Sequence, residues 1–164
     1  MHRPRPALLL LAFLLLAAGA QAARPGDPAP PLSLPRIQGG AVTLAPLLAS
    51  GPVLVWFPEA TSVTPETGQA LADAATRNGA TLLVIPVVGR DPGPAEALAE
   101  RFPDWIVLHD AEGTVTLQYA GEFIPGVSPR QNLFLVNTRG VLAGCHFWPG
   151  VPEGTLGNEI RSAR

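Results

Sequence analysis

FPEATSVTPE, residues 57–66, is where an apolar strand ends and a helix begins. Upstream, Pro52 to Phe57 (PVLVWF) is a continuous apolar run bounded by Gly51-Pro52 and Pro58, the pattern of a short strand buried on both faces. Downstream, Pro65 suits the first turn of a helix, where its missing N–H would have no partner, and Thr64 is placed to cap that turn. This helix is expected to run to about Asn78, with Gly79 as its stop and Leu71, Ala74 and Ala75 on its inner face. The segment carries hydroxyls and carboxylates but no cysteine.

On either side the chain alternates strand and helix signals. Arg24 to Pro35 is proline-rich and predicts an extended segment docking through Leu32 and Leu34, and Ile37 to Leu44 predicts a small hairpin turning at Gly39-Gly40. Thr81 to Val88 predicts a second buried strand with Pro86 near its end. Pro92 to Phe102 predicts a short helix with Ala95, Leu98 and Phe102 at helical spacing. Trp105 to Leu108 is a third strand, Asp110 to Gly113 a turn leading into a short helix that reaches Tyr119, and Thr155 to Arg164 a closing helix. Between them, Leu133 to Val136 and Val141 to Cys145 form a hairpin around Asn137 to Gly140. The pattern implies an α/β fold in three layers: a mainly parallel but mixed central sheet, helices on both faces, and a C-terminal β-hairpin.

Composition bounds the compartment and the partners. His2, Arg3 and Arg5, the apolar run Ala7 to Leu16 and the small-x-small junction Ala20-Gln21-Ala22 predict a secretory signal peptide over residues 1–22, cleaved after Ala22. The apolar run is shorter than the roughly 18 to 20 residues that span a bilayer, so no stable membrane insertion is expected after cleavage. One domain, residues 23–164, then remains, periplasmic or secreted. It keeps nine arginines against thirteen acids, formally −4 and without a basic cluster, which argues against nucleic acid as a partner. With a single cysteine no intrachain disulfide can form, so Cys145 is buried, free and reactive, or paired with another molecule.

The order of motifs resembles the thioredoxin-like superfamily, in particular its peroxiredoxin-type domains (alkyl hydroperoxide reductase and thiol-specific antioxidant) and its TlpA/ResA-like thiol-disulfide oxidoreductases. Gly26, Ala29-Pro30 and Leu32-x-Leu34 resemble the N-terminal G-x-x-A-P-x-F-x-L motif, and Gly40 to Leu47 resembles the G-x-x-v-x-L-x-x-L that follows. PVLVWF resembles the first core strand, Asp110, Gly113 and Tyr119 the D-x-x-G-x-v-x-x-x-Y segment, and Phe134 to Gly140 (FLVNTRG) the F-L-I-D-x-x-G strand and turn. Laid on the TlpA-like F-W-A-x-W-C-x-x-C, Ser62 falls on the first cysteine and Pro65 on the second. Laid on the peroxiredoxin T-x-x-C, Thr61 falls on the threonine and Thr64 on the peroxidatic cysteine. The resemblance implies redox activity, but the redox chemistry needs a thiolate, and a hydroxyl ionises far higher and is not reversibly oxidised. Ser128, Pro129 and Arg130 fall in the region of the family's cis-proline and peroxide-polarising arginine. Pro129 lies five residues before Phe134 rather than three, which leaves cis and trans both open, and the arginine position falls near Gln131.

Two functional readings remain. One is a degenerate, non-catalytic domain that uses the groove around Ala60 to Pro65 and Ser128-Pro129-Arg130 to bind an extended peptide or a periplasmic protein partner. The alternative is antioxidant or thiol-disulfide oxidoreductase activity retained through Cys145. A turn at Asn137 to Gly140 pairs Cys145 with Asn132 and brings Cys145 and His146 to the Ser62 end of the sheet, although adjacent strand residues point to opposite faces. No metal is expected, since no two histidines share a ligand spacing, and no cofactor motif is present. Glu59, Glu66 and Asp110 are expected as solvated acids, and no G-x-S-x-G elbow surrounds Ser62 or Ser128.

Overall fold

The computed structural model describes residues 21–164, so the expected signal peptide lies, except for Gln21 and Ala22, outside the described residues. Five strands form the central sheet in the order β5-β4-β3-β6-β7: β3 (Val53–Trp56), β4 (Thr81–Val84), β5 (Ile106–Val107), β6 (Leu133–Val136) and β7 (Leu142–His146). β3, β4 and β5 run parallel, whereas β3–β6 and β6–β7 are antiparallel, which makes the sheet mixed with a C-terminal hairpin.

Strand periodicity sorts the core into two layers. Leu54, Trp56, Val84, Leu133 and Leu135 face one side, where they meet α2 (Pro65–Arg77), α3 (Gly93–Arg101) and α5 (Glu153–Ser162) through Leu71, Leu98, Leu156 and Ile160. Val53, Val55, Phe57, Leu83, Phe134 and Val136 face the other, against α4 (Thr114–Ala120), Leu44 of the short α1 (Leu44–Leu48), and Leu32 and Leu34. Burial on both faces is why β3 and β6 are apolar at every position. Phe57, Tyr119 and Phe134 close this second layer with ring centroids 5.4 to 5.8 Å apart.

The N-terminal segment reaches both sheet edges. At β7, Pro28 bridges Val141, Gly26 donates to the Leu142 carbonyl, and Leu142 donates back to Asp27. At β5, Ile37 donates to Val107, and His109 donates to Pro35. Between these contacts the Tyr119 hydroxyl, fully buried, donates to the Pro30 carbonyl at 3.0 Å. An unpaired sheet edge is a template for another chain, and here β5 and the start of β7 are occupied from within.

Several expectations shift in detail. The N-terminal hairpin pairs β1 (Ser33–Pro35) with β2 (Ala41–Thr43), so its first strand lies before Ile37 and contains Leu34. β4 ends at Val84, although Ile85 and Val87 still donate to the Trp56 and Pro58 carbonyls, and the closing helix starts at Glu153. Cys145 pairs with Phe134 rather than Asn132, because the turn is longer than assumed and β7 holds one extra residue, Ala143, between Leu135↔Gly144 and Val136↔Leu142. Asp110 is not solvated: it is buried and accepts from the Thr116 N–H at 2.7 Å and hydroxyl at 2.8 Å, tying down the start of α4.

The glycine at 68 fixes how closely α2 lies on Trp105. A Cβ there would meet Trp105 Cη2 at 2.3 Å, and Trp105 is held by a 3.9 Å stack on Phe102 and an edge contact with Trp56. Gly68→Ala should therefore destabilise the fold by about 1 kcal/mol or more in urea melts, overpacking outweighing the roughly 1 kcal/mol gain in helix propensity. Gly154→Ala in α5, with nothing within 4 Å, should be neutral or slightly stabilising.

Candidate binding site at the strand-to-helix junction

After β3 the chain makes one 3-10 turn, Ala60–Ser62, and enters α2. Thr64 caps the helix as the sequence predicts, its hydroxyl accepting from the Thr67 N–H at 3.2 Å while Thr67 Oγ1 accepts from the Thr64 N–H at 3.3 Å. Pro65 occupies the first turn, and Asn78 and Gly79 end the helix, Gly79 at φ +70°. This box takes up two of the amide donors that a helix N-terminus leaves free.

Thr61, Ser62, Thr64 and Pro65 are all exposed. The Ser62 hydroxyl donates to Glu59 Oε2 at 2.6 Å and the Thr61 hydroxyl to Oε1 at 2.7 Å, so both hydroxyls serve the same carboxylate. These two bonds, Ser62 foremost, hold the Glu59 carboxyl below the usual glutamate range. Glu66, in the first turn of α2, is likewise lowered by its own backbone N–H and by the Thr64 hydroxyl.

Behind this turn, Asn132 organises the end of the sheet. Its side chain is buried, donates to Ser128 Oγ at 2.9 Å and to the Trp148 carbonyl at 3.2 Å, and accepts from the Trp148 N–H at 2.8 Å. Its backbone carbonyl accepts from Phe57 at 2.7 Å, and its N–H donates to His146. Ser128 Oγ in turn donates to the Phe57 carbonyl at 3.0 Å, and Trp148 Nε1 reaches the Thr67 carbonyl at 2.9 Å. Of the sequence-predicted groove residues, Ser128 is thus bonded into the frame and Pro129 is buried. Arg130 is exposed, with its backbone N–H on Glu122. The Pro129 bond is trans; the cis bond among the described residues is Trp148–Pro149.

A cleft opens on the other side of the turn. It encloses about 280 Å³ and is lined by Glu59, Ala60, Thr61, Val87, Val88, Pro94, Pro125 and Gly126. The loop carrying Pro125 also exposes Ile124 (56%) and Val127 (50%). Gly126 donates to the Val87 carbonyl, and Val87 to Pro58, which locks the loop, the end of β4 and the strand-to-helix turn together. Sequence reasoning missed Asn132 as a frame residue, and it missed this cleft because its walls come from four distant segments. The available signals were a polar residue heading the apolar run LFLV and the exposed apolar pair flanking Pro125-Gly126.

Cys145 and His146 share the end of the sheet with Trp56, since His146 pairs with Leu133 and Leu133 with Trp56. Their side chains diverge. Cys145 is half-buried in the layer of Phe134 and donates its S–H to the Ala23 carbonyl at 3.6 Å, whereas Val63, beside Ser62, belongs to the opposite layer. His146 Nε2 lies 2.6 Å from Glu159 Oε2 on α5. Burial, with Asp27 adding repulsion, pushes the thiol up to about 11.

No protein-family model and no curated protein matches the chain. Solved structures do. Peroxidoxin BcpB from Mycobacterium tuberculosis superposes with a TM-score of 0.64 and 26% identity, over 87% of this chain and 99% of that one. The thioredoxin domain of thiol-disulfide oxidoreductase BVU-2223 from Bacteroides vulgatus gives 0.62 and 17%, over 86% and 98%. A secreted Mycobacterium tuberculosis disulfide oxidoreductase homologous to DsbE gives 0.58 and 16%, over 80% and 95%.

The raised thiol value carries a pH signature. A folded-state value above the ordinary 9.0 means that the folded chain holds this proton longer, so the thiol's contribution to stability is intact below about pH 9 and is lost as pH rises toward about 11. Chemical denaturation from pH 8 to 11 should show wild type losing stability relative to Cys145→Ser across that window.

Proposed function

The chain is a domain of the thioredoxin-like superfamily, and from that premise we propose that it acts without thiol chemistry, as an exported domain binding an extended peptide or envelope-protein partner beside the strand-to-helix junction. The observation that carries this reading is the cleft itself. An apolar, partly enclosed surface lies against the segment where the superfamily resemblance puts reactive cysteines, and exposed Ile124 and Val127 extend it. Ser62 and Thr64 offer hydroxyls there, one engaged with Glu59 and the other with the helix cap. The N-terminal segment already occupies β5 and the start of β7, and the apolar walls of the cleft favour side-chain recognition as the mode of binding.

Export is supported by the basic start, the apolar run and the Ala20-Gln21-Ala22 junction, and no helix among the described residues is long and apolar enough to cross a membrane. The similar secreted oxidoreductase points to the same compartment.

The competing reading is redox activity through Cys145 with an external thiol. Peroxide consumption and insulin disulfide reduction, measured with dithiothreitol on wild type and Cys145→Ser, distinguish the two. The expected result is background rates for both proteins; activity present in wild type and lost in the variant would establish the redox reading. Mass spectrometry of the exported protein should give Ala23 as its first residue.

A further inference from the structure

We propose that the junction cleft selects a peptide segment carrying a large apolar side chain next to a lysine or arginine, the apolar group entering the cavity and the cation meeting Glu59. This rests on the binding reading above and names its ligand chemistry. The cavity, about 280 Å³, falls just under the roughly 300 Å³ at which small-molecule sites begin, and Ala60, Val87, Val88, Pro94 and Pro125 offer it only apolar side chains. That is a receptacle for one side chain of a longer ligand.

Glu59 lines the same cavity and supplies its charge. Free carboxylates on a surface sample many rotamers, but this one is held from both oxygens by Thr61 and Ser62. The same donors favour its ionised form, so it is charged at neutral pH. Two Arg–Glu ion pairs occur among the described residues, Arg77–Glu153 and Arg90–Glu112, and neither includes Glu59. Arg90, close in sequence to Val88 and Gly89, is turned to Glu112 at 3.1 Å, so it leaves the Glu59 charge uncompensated. Glu66 adds a second anion on the adjoining helix start. Thr61 and Ser62 thereby become positioning residues for an anion. An exposed carboxylate contributes modest affinity to a cation, so apolar burial supplies most of the binding and Glu59 the discrimination.

The probe is a random peptide library displayed on phage, selected on the protein from Ala23 onward, followed by fluorescence polarisation with the enriched peptides. Enriched sequences should pair Leu, Ile, Met or Phe with an adjacent Lys or Arg. Glu59→Gln should weaken their binding about two- to fivefold while remaining fully folded under the assay conditions, as urea melts check, and raising NaCl from about 50 to 500 mM should weaken wild type more than the variant. Val88→Asn should weaken binding irrespective of salt. Enriched peptides without basic residues, or affinity and salt dependence unchanged in Glu59→Gln, would overturn this assignment while leaving the cleft as a binding site. Failure to enrich any peptide would overturn the binding reading together with it.

Discussion

The Asn132 side chain is the interaction on which the functional end of this molecule depends. Three segments meet there: the end of β3 at Phe57, the loop at Ser128, and the chain leaving β7 at Trp148. The Trp148 N–H and carbonyl lie past the end of the ladder, and without this amide they would be buried without partners, at about 1–3 kcal/mol apiece. One amide, donating twice and accepting once, satisfies this meeting point. Because Trp148 also reaches the first turn of α2 through Thr67, the same network sets where the helix begins relative to the sheet.

In the binding reading proposed above, the superfamily's reactive segment survives on that frame as geometry with its chemistry exchanged. A strand still delivers the chain to a capped helix N-terminus, where a thiolate would gain from free amides and the helix dipole. Here Thr64 and Thr67 consume part of that donor capacity, and Glu59, locked by Thr61 and Ser62, supplies the negative charge. A locked carboxylate can attract and orient, but it cannot exchange disulfides. The thiol the chain does possess lies in the opposite layer, under Ala23, where burial keeps it protonated.

How much of this was legible follows the range of the interactions. PVLVWF, the Thr64-Pro65 start and the Asn78-Gly79 stop are local signals, and the structure realises each within a residue or two. The pairing of Cys145 was not legible, because a longer turn and one extra residue at Ala143 together shift the ladder, and no local feature of VLAGCH announces either. His146 did fall on the face opposite Cys145, as strand alternation requires. Asp110 looked like a surface acid because its partner, Thr116, lies beyond a turn. Edge protection by Gly26 to Ile37 and the assembly of Glu59, Val88, Pro94 and Pro125 into one cleft depend on contacts between segments far apart in sequence, which periodicity does not encode.

Titration of the Glu59 side-chain carboxyl carbon by NMR decides whether Thr61 and Ser62 hold an anion where the fold could house a thiolate. Ionisation is expected below the usual 4.5 in wild type, moving upward in Thr61→Val and further in Thr61→Val/Ser62→Ala. An ordinary value in wild type, unmoved by either substitution, would contradict it.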